Sequence, residues 1–441
     1  MVLMAFLHVP SQSVMAAAGF ASVQHVPVLF GRQHRYCREF NRFLRERATL
    51  DWHPEGHTAA AGALRGRRIA YPSRATVHDW AERLSNFDDW LHETGRDWKT
   101  VDYLSDIVQG YQADMLTGRW SQDGRPLKPA TVNVRVQIAC TFLKWAAERD
   151  LRPPFTVLSV SMSVEAHSGS SSHGHRAITV TSRAGSLRCE AKPFITIPTA
   201  DQIRRWLASV QSRRGYTKAL MCKTVLRTGM RRREVVEMRV NDLPERKDWV
   251  VIGEHVQMRL LHGTKGTKSH SSEGEEMGPP RTIGVPLDLA EEIDYYRTWR
   301  RLRPATMWMK RNRGKPAPDR LFLSEYDGTP ISMDTLYRAW TVTPDVKVES
   351  WHPHAGRHYW ACQTLLSALE QETSRAKATI SQMPEAWVYE VGRSIIDTRI
   401  RPQLGHVDIE TTLIYLRWIT SITVLADHYV DWHAFLEEAN G

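Results

Sequence analysis

Between residues 156 and 194 the chain stops supplying what a core needs. The run SVEAHSGSSSHGHRA at 163–177 is rich in Ser, Gly and His and offers little apolar surface to bury, which reads as a flexible linker. A break of that kind forbids one continuous core, so the chain must fold on either side of it. The length of 441 residues agrees, since single domains are usually shorter.

Upstream, residues 73–155 read as a compact all-α module. Val77, Trp80, Leu84, Phe87, Trp90 and Leu91 recur at helical spacing and stop at Gly95; a second helix is expected near Asp102–Gly118. A third follows Pro129 with Ala130, Val134, Ile138, Phe142 and Trp145. Downstream, 195–441 resumes ordered structure with Thr199 as a helix cap before Ile203, Trp206 and Leu207. Three runs there look like strands: WVVIG (249–253), MRLLH (258–262) and TIGVP (282–286). The expected fold class is therefore mainly α (α+β), a helical module plus a mostly helical domain with a small antiparallel sheet. Residues 1–72 form a basic extension of their own.

The formal net charge is +10, and an excess of this sign suits a polyanion. Residues 1–74 hold ten arginines, no lysine and four acids. Within them RQHRYCREFNRFLRER (32–47) sets Tyr36, Phe40, Phe43 and Leu44 on one helical face. Two readings stand: a surface helix packing that stripe, or a DNA-contacting arm. The five cysteines are scattered without C-x-x-C spacing, against a disulfide framework or zinc site and for a reducing, cytoplasmic setting. No apolar run is long enough to span a membrane, and no basic region precedes the short apolar opening, so no signal peptide is expected.

Four segments carry the chemistry. Thr228-Gly229-Met230-Arg231-Arg232-Arg233-Glu234 places a glycine where one helix ends and the next begins. Thr264-Lys265-Gly266-Thr267-Lys268 falls between two strand-like runs. His354-Ala355-Gly356-Arg357-His358 follows, and Leu404-Gly405-His406 precedes Tyr415 by nine residues beyond the histidine, within Thr411-Thr412-Leu413-Ile414-Tyr415. In this order the four resemble the tyrosine recombinase, or phage integrase, family: its T-G-x-R-x-x-E, hairpin lysine, H-x-x-R-H and L-G-H…Tyr. The helical module resembles that family's core-binding domain.

The resemblance implies a site-specific DNA recombinase or integrase serving a mobile element. Tyr415 would attack the scissile phosphate, leaving a 3′-phosphotyrosine and a 5′-hydroxyl. A phenol with a pKa of about 10 leaves as readily as it attacks, which keeps strand exchange reversible. Arg231 and Arg357 would stabilise the phosphorane without a metal ion or other cofactor, with Glu234 orienting Arg231. His354 would take the Tyr415 proton. His406 would donate to the phosphate or support Tyr415, and Lys265 would protonate the leaving oxygen, Lys268 being the alternative. His352 and His358 read as structural. The resemblance further implies double-stranded DNA and a synaptic tetramer as partners, admits accessory recombination proteins, and assigns no membrane role. The bacterial cytoplasm with its nucleoid is the expected compartment.

Three features depart from the family pattern. Gly356 stands where Leu is usual, the hairpin is extended by Ser269–Pro280, and the stretch between His358 and Leu404 is long. Rival readings are a type IB topoisomerase or telomere resolvase, a DNA-binding regulator with a dead site, and a metal-dependent nuclease. The intact residue set argues against the second, and the lack of clustered carboxylates against the third.

Overall fold

The computed structural model describes residues 4–54, 72–121, 123–165, 177–188, 195–265, 269–270, 276–277, 279–341, 350–406 and 412–421. The chain divides into two compact units, Met1–Ala191 and Lys192–Gly441.

In the first unit, four helical stretches share one core: Arg38–Thr49, Arg74–Glu93, the π-helical Tyr103–Gln112, and Pro129–Glu148. The N-terminal residues are not separate from it. Phe40 stacks on Phe142 with ring centroids 4.2 Å apart, and Phe43 meets Phe142 and Trp145 edge-on. Phe40, Phe43 and Leu44 are thus the buried stripe of a packed helix, while Tyr36 stays exposed. Several arginines there face partners in the same unit: Arg35 pairs with Asp88, Arg42 with Glu46, and Arg47 lies over the Trp80 ring. Of the two readings of residues 32–47, the structure supports the packing one.

The expected linker also holds structure. Ser159–Glu165 and Ala177–Arg183 pair antiparallel from Ser159↔Arg183 to Glu165↔Ala177. The chain beyond them is fastened to the helices: Tyr103 donates to the Ala184 carbonyl, Gln112 to Gly185 at 2.9 Å and Asn133 to Leu187 at 2.8 Å. Alternating Ser and Thr satisfied a two-residue period that composition alone read as unstructured. Residues 166–176 and 189–194 lie outside the described residues.

The second unit is mostly helical with small antiparallel sheets. Its three-stranded sheet runs Val251–Ile252, His255–Leu260, Arg281–Pro286, with Leu260 opposite Arg281. One core gathers the sheet and the helices Ala200–Arg214 and Tyr216–Thr228. A second gathers the long helix Pro353–Arg375, the helix Glu385–Ile395 and residues 412–421. The long stretch after His358 therefore has a definite place. Val388, Ile396 and Ile400 are fully buried in the same core as Tyr415, Leu416 and Ile419. Among the described residues, no helix is long and apolar enough to cross a membrane.

Candidate active site

The site begins at a helix end. Tyr216–Thr228 stops at Gly229, whose φ of +66° is left-handed, and a Cβ there would lie 2.6 Å from the Trp360 ring. Only glycine meets both demands. The turn aims Arg231 inward as the residue preceding the next helix, Arg232–Glu237. Glu234, wholly buried, accepts from the Arg231 backbone at 2.6 Å and from its guanidinium at 2.9 Å.

The long helix Pro353–Arg375 supplies His354, Arg357 and His358. Arg357 is 1 % exposed, an expensive burial for a cation. Its guanidinium donates to the Gly229 carbonyl at 2.5 Å and to the Leu404 carbonyl. Desolvation, then the charge of Arg231, pushes Arg357 down to about 9. It remains a cation at pH 7.

Leu404-Gly405-His406 closes the site. Arg231 donates to the Gly405 carbonyl at 3.3 Å, and Arg357 to the carbonyl one residue earlier. Adjacent carbonyls thereby hold the two guanidinium groups side by side. His406 Nδ1 lies 3.0 Å from the hydroxyl of Thr412, which is fully buried and opens the segment carrying Tyr415. Tyr415 itself is 0 % exposed, and desolvation raises its phenol above the ordinary value while Arg357 opposes the rise.

Both motif histidines are held low. Desolvation and then Arg357 push His406 down to about 3. The same causes, with His352, Arg231 and Lys265 adding, push His354 to about 4. His354 as a residue keeps broad contact with solvent, so screening trims its shift. The direction leaves both imidazoles neutral near pH 7.

Sequence reasoning missed two participants. The Tyr415 hydroxyl and His358 Nδ1 are 3.0 Å apart. The histidine read as structural, and not His354, is the one recorded in hydrogen-bond contact with the nucleophile candidate. The second is Arg281, the first residue of its strand, which donates to Glu234 at 2.6 Å and to the Gln403 carbonyl. No periodicity signals a partner 47 residues away. Lys265 is exposed, just beyond the His255–Leu260 strand, while Gly266–Lys268 lie outside the described residues.

The Gly356 departure has a physical cause. A Cβ at this position would stand 2.4 Å from the Trp340 ring, which is fully buried against Trp206 and Trp351. The indole fills the room a leucine would need. Gly356→Leu is therefore expected to lower stability by at least about 1–3 kcal/mol through overpacking. A second change, Trp340→Leu, recovers part of that loss; urea unfolding midpoints of the single and double variants check it.

Residues 198–368 match the model of the phage integrase family. That stretch, inside the second unit, is a phage integrase family domain. The integrase unit is accordingly that of a tyrosine-type site-specific DNA recombinase. No curated protein matches the sequence. Among solved structures, similarity extends to XerH recombinase bound to palindromic difH substrate, at 16% identity and TM-score 0.48, covering 91% of this chain and 95% of that one. The Tn1549 transposon integrase in complex with circular intermediate DNA gives 16% identity, TM-score 0.42, and 86% and 94% coverage. The lambda integrase dimer on a COC′ core site gives 13%, 0.39, and 82% and 93%.

Proposed function

We propose that this recombinase cuts and rejoins double-stranded DNA through Tyr415, forming a 3′-phosphotyrosine and releasing a 5′-hydroxyl. The observation that carries the reading is the pairing of Arg231 and Arg357 on the consecutive carbonyls of Leu404 and Gly405. Two fixed guanidinium groups form a preorganised socket for the non-bridging oxygens of a phosphorane, where negative charge concentrates. Glu234, shared by Arg231 and Arg281, orients that socket. His406 adds a neutral hydrogen-bonding group, and its link to Thr412 ties the tyrosine segment to the same turn. Lys265 protonates the leaving oxygen.

The first unit, with the helices of 73–155 at its centre, holds the duplex. A tetramer on two DNA sites performs the exchange during integration or excision of a mobile element, in the cytoplasm. The excess of positive charge and the family of the catalytic unit support this assignment.

The test is covalent capture. Duplex fragments that tile the DNA flanking the gene, where inverted repeats around a short spacer would mark a recombination site, are incubated with the protein in EDTA, stopped with detergent and digested. The DNA-linked peptide is expected to contain Tyr415, and its yield to be unchanged by EDTA because arginines occupy the place of a divalent ion. Linkage through another residue, or cleavage that requires magnesium, overturns the reading.

A further inference from the structure

We infer that His358, rather than His354, is the group that holds the Tyr415 hydroxyl and accepts its proton when the tyrosine attacks phosphorus. The inference deepens the proposed function and rests on Tyr415 being the nucleophile. Three observations lead to it. The His358 Nδ1 to Tyr415 Oη distance, 3.0 Å, is that of a formed hydrogen bond. Tyr415 is fully buried, so bulk water is not beside the oxygen to receive a proton. His354 lies one helical turn before His358, and the two rings meet edge-to-face with centroids 4.5 Å apart. His354 is exposed to solvent, whereas His358 is half-buried and carries the contact to Tyr415.

In the forward step the Tyr415 O–H bond breaks, its proton passes to His358 Nδ1, and the phenolic oxygen bonds to phosphorus. The bond from phosphorus to the 5′-oxygen breaks, and that oxygen takes a proton from Lys265. Rejoining reverses each transfer, so His358 returns its proton to the departing phenol. The charged and titratable groups around the pair are Arg357 and Arg231, which favour the phenolate, Cys362, which opposes it, and the imidazoles of His354 and His406. The two guanidinium groups lower the cost of forming the anion, and the imidazole supplies the place for its proton.

The test uses the full-length protein with His358→Asn, whose side-chain oxygen can occupy the place of Nδ1 and keep the hydrogen bond but cannot take up a proton. Circular dichroism and DNA-binding titrations establish that the variant folds and binds. Cleavage rates are then read from pH 6.5 to 9 as detergent-resistant adduct. The expected result is a loss of about 100-fold at pH 7, with a rate that climbs about tenfold per pH unit where the parent levels off. That slope is the signature of a phenol ionising without a partner. A rate within threefold of the parent overturns the proposal. So does a reduced rate with the parent's pH profile, because it leaves His358 a positioning group only. His354→Asn run alongside is expected to keep the parent's profile; acquiring the slope there and not at His358 also overturns it. A parent protein that forms no Tyr415 adduct would instead overturn the proposed function, so the two failures are distinguishable.

Discussion

Tyr415→Phe leaves DNA affinity within about threefold of the parent and yields no covalent adduct. The ring is the part that packs: it sits at 0 % exposure in the core with Leu365, Leu404 and Leu416. Phenylalanine preserves that packing and forfeits the contact with His358, a loss of about 1 kcal/mol. Arg231 and Arg357 are held by carbonyls and Glu234, not by Tyr415, so the phosphate socket survives. What disappears is the oxygen that forms the bond to phosphorus in the proposed mechanism. Labelled site DNA, a gel-shift titration and a detergent-stopped assay separate the two effects. Any adduct above background in the Phe variant removes Tyr415 from the mechanism.

Lys265→Ala produces the next largest effect, and a change in the DNA reverses it. An alkoxide leaving group needs a proton, and losing a general acid typically costs about 10²–10⁴-fold. A thiol ionises near pH 8.5 and leaves unaided, so DNA with sulfur at the 5′-bridging position removes the need. The variant is expected to cleave ordinary DNA at least about 100-fold more slowly and the sulfur-substituted DNA within a few-fold of the parent. Lys265 is exposed, so its truncation leaves the core untouched and the comparison is not confounded by unfolding. Lys268→Ala, at a position outside the described residues, is expected to show a mild defect of about tenfold or less, equal on both substrates. Rescue confined to the Lys268 variant would move the acid three residues along the hairpin; rescue of neither would remove the hairpin from proton transfer.

The segments that the structure brings together were legible because each is local. Gly229 to Glu234 and Leu404 to His406 are short segments whose spacing reflects one turn or one cap, and such spacing survives in a linear string. His358 and Arg281 were illegible for the opposite reason: their partners, Tyr415 and Glu234, are 57 and 47 residues away. In the fold, the strand runs near 249–286 were read from periodicity and found close to those positions. One composition-based reading fared worse: the Ser- and Thr-bearing strands at 159–165 and 177–183 hid a period of two behind polar residues. Of the two readings of 32–47, a packed helix and a DNA-contacting arm, the first is supported, because Phe40, Phe43 and Leu44 commit that helix to the core of the first unit.

Three guanidinium groups, those of Arg231, Arg281 and Arg357, stand around a single buried carboxylate, Glu234. The folded state thus carries a local surplus of positive charge that the unfolded chain, with its arginines dispersed in water, does not. An anion that binds the folded form alone shifts the folding equilibrium toward it. At a free concentration one hundred times its dissociation constant, that linkage is worth about 2.7 kcal/mol. The phosphate backbone is then a component of the native energy balance as well as a substrate. On the proposed function, the stability of this unit becomes a function of the anions around it, and is expected to be highest with a DNA strand in the socket.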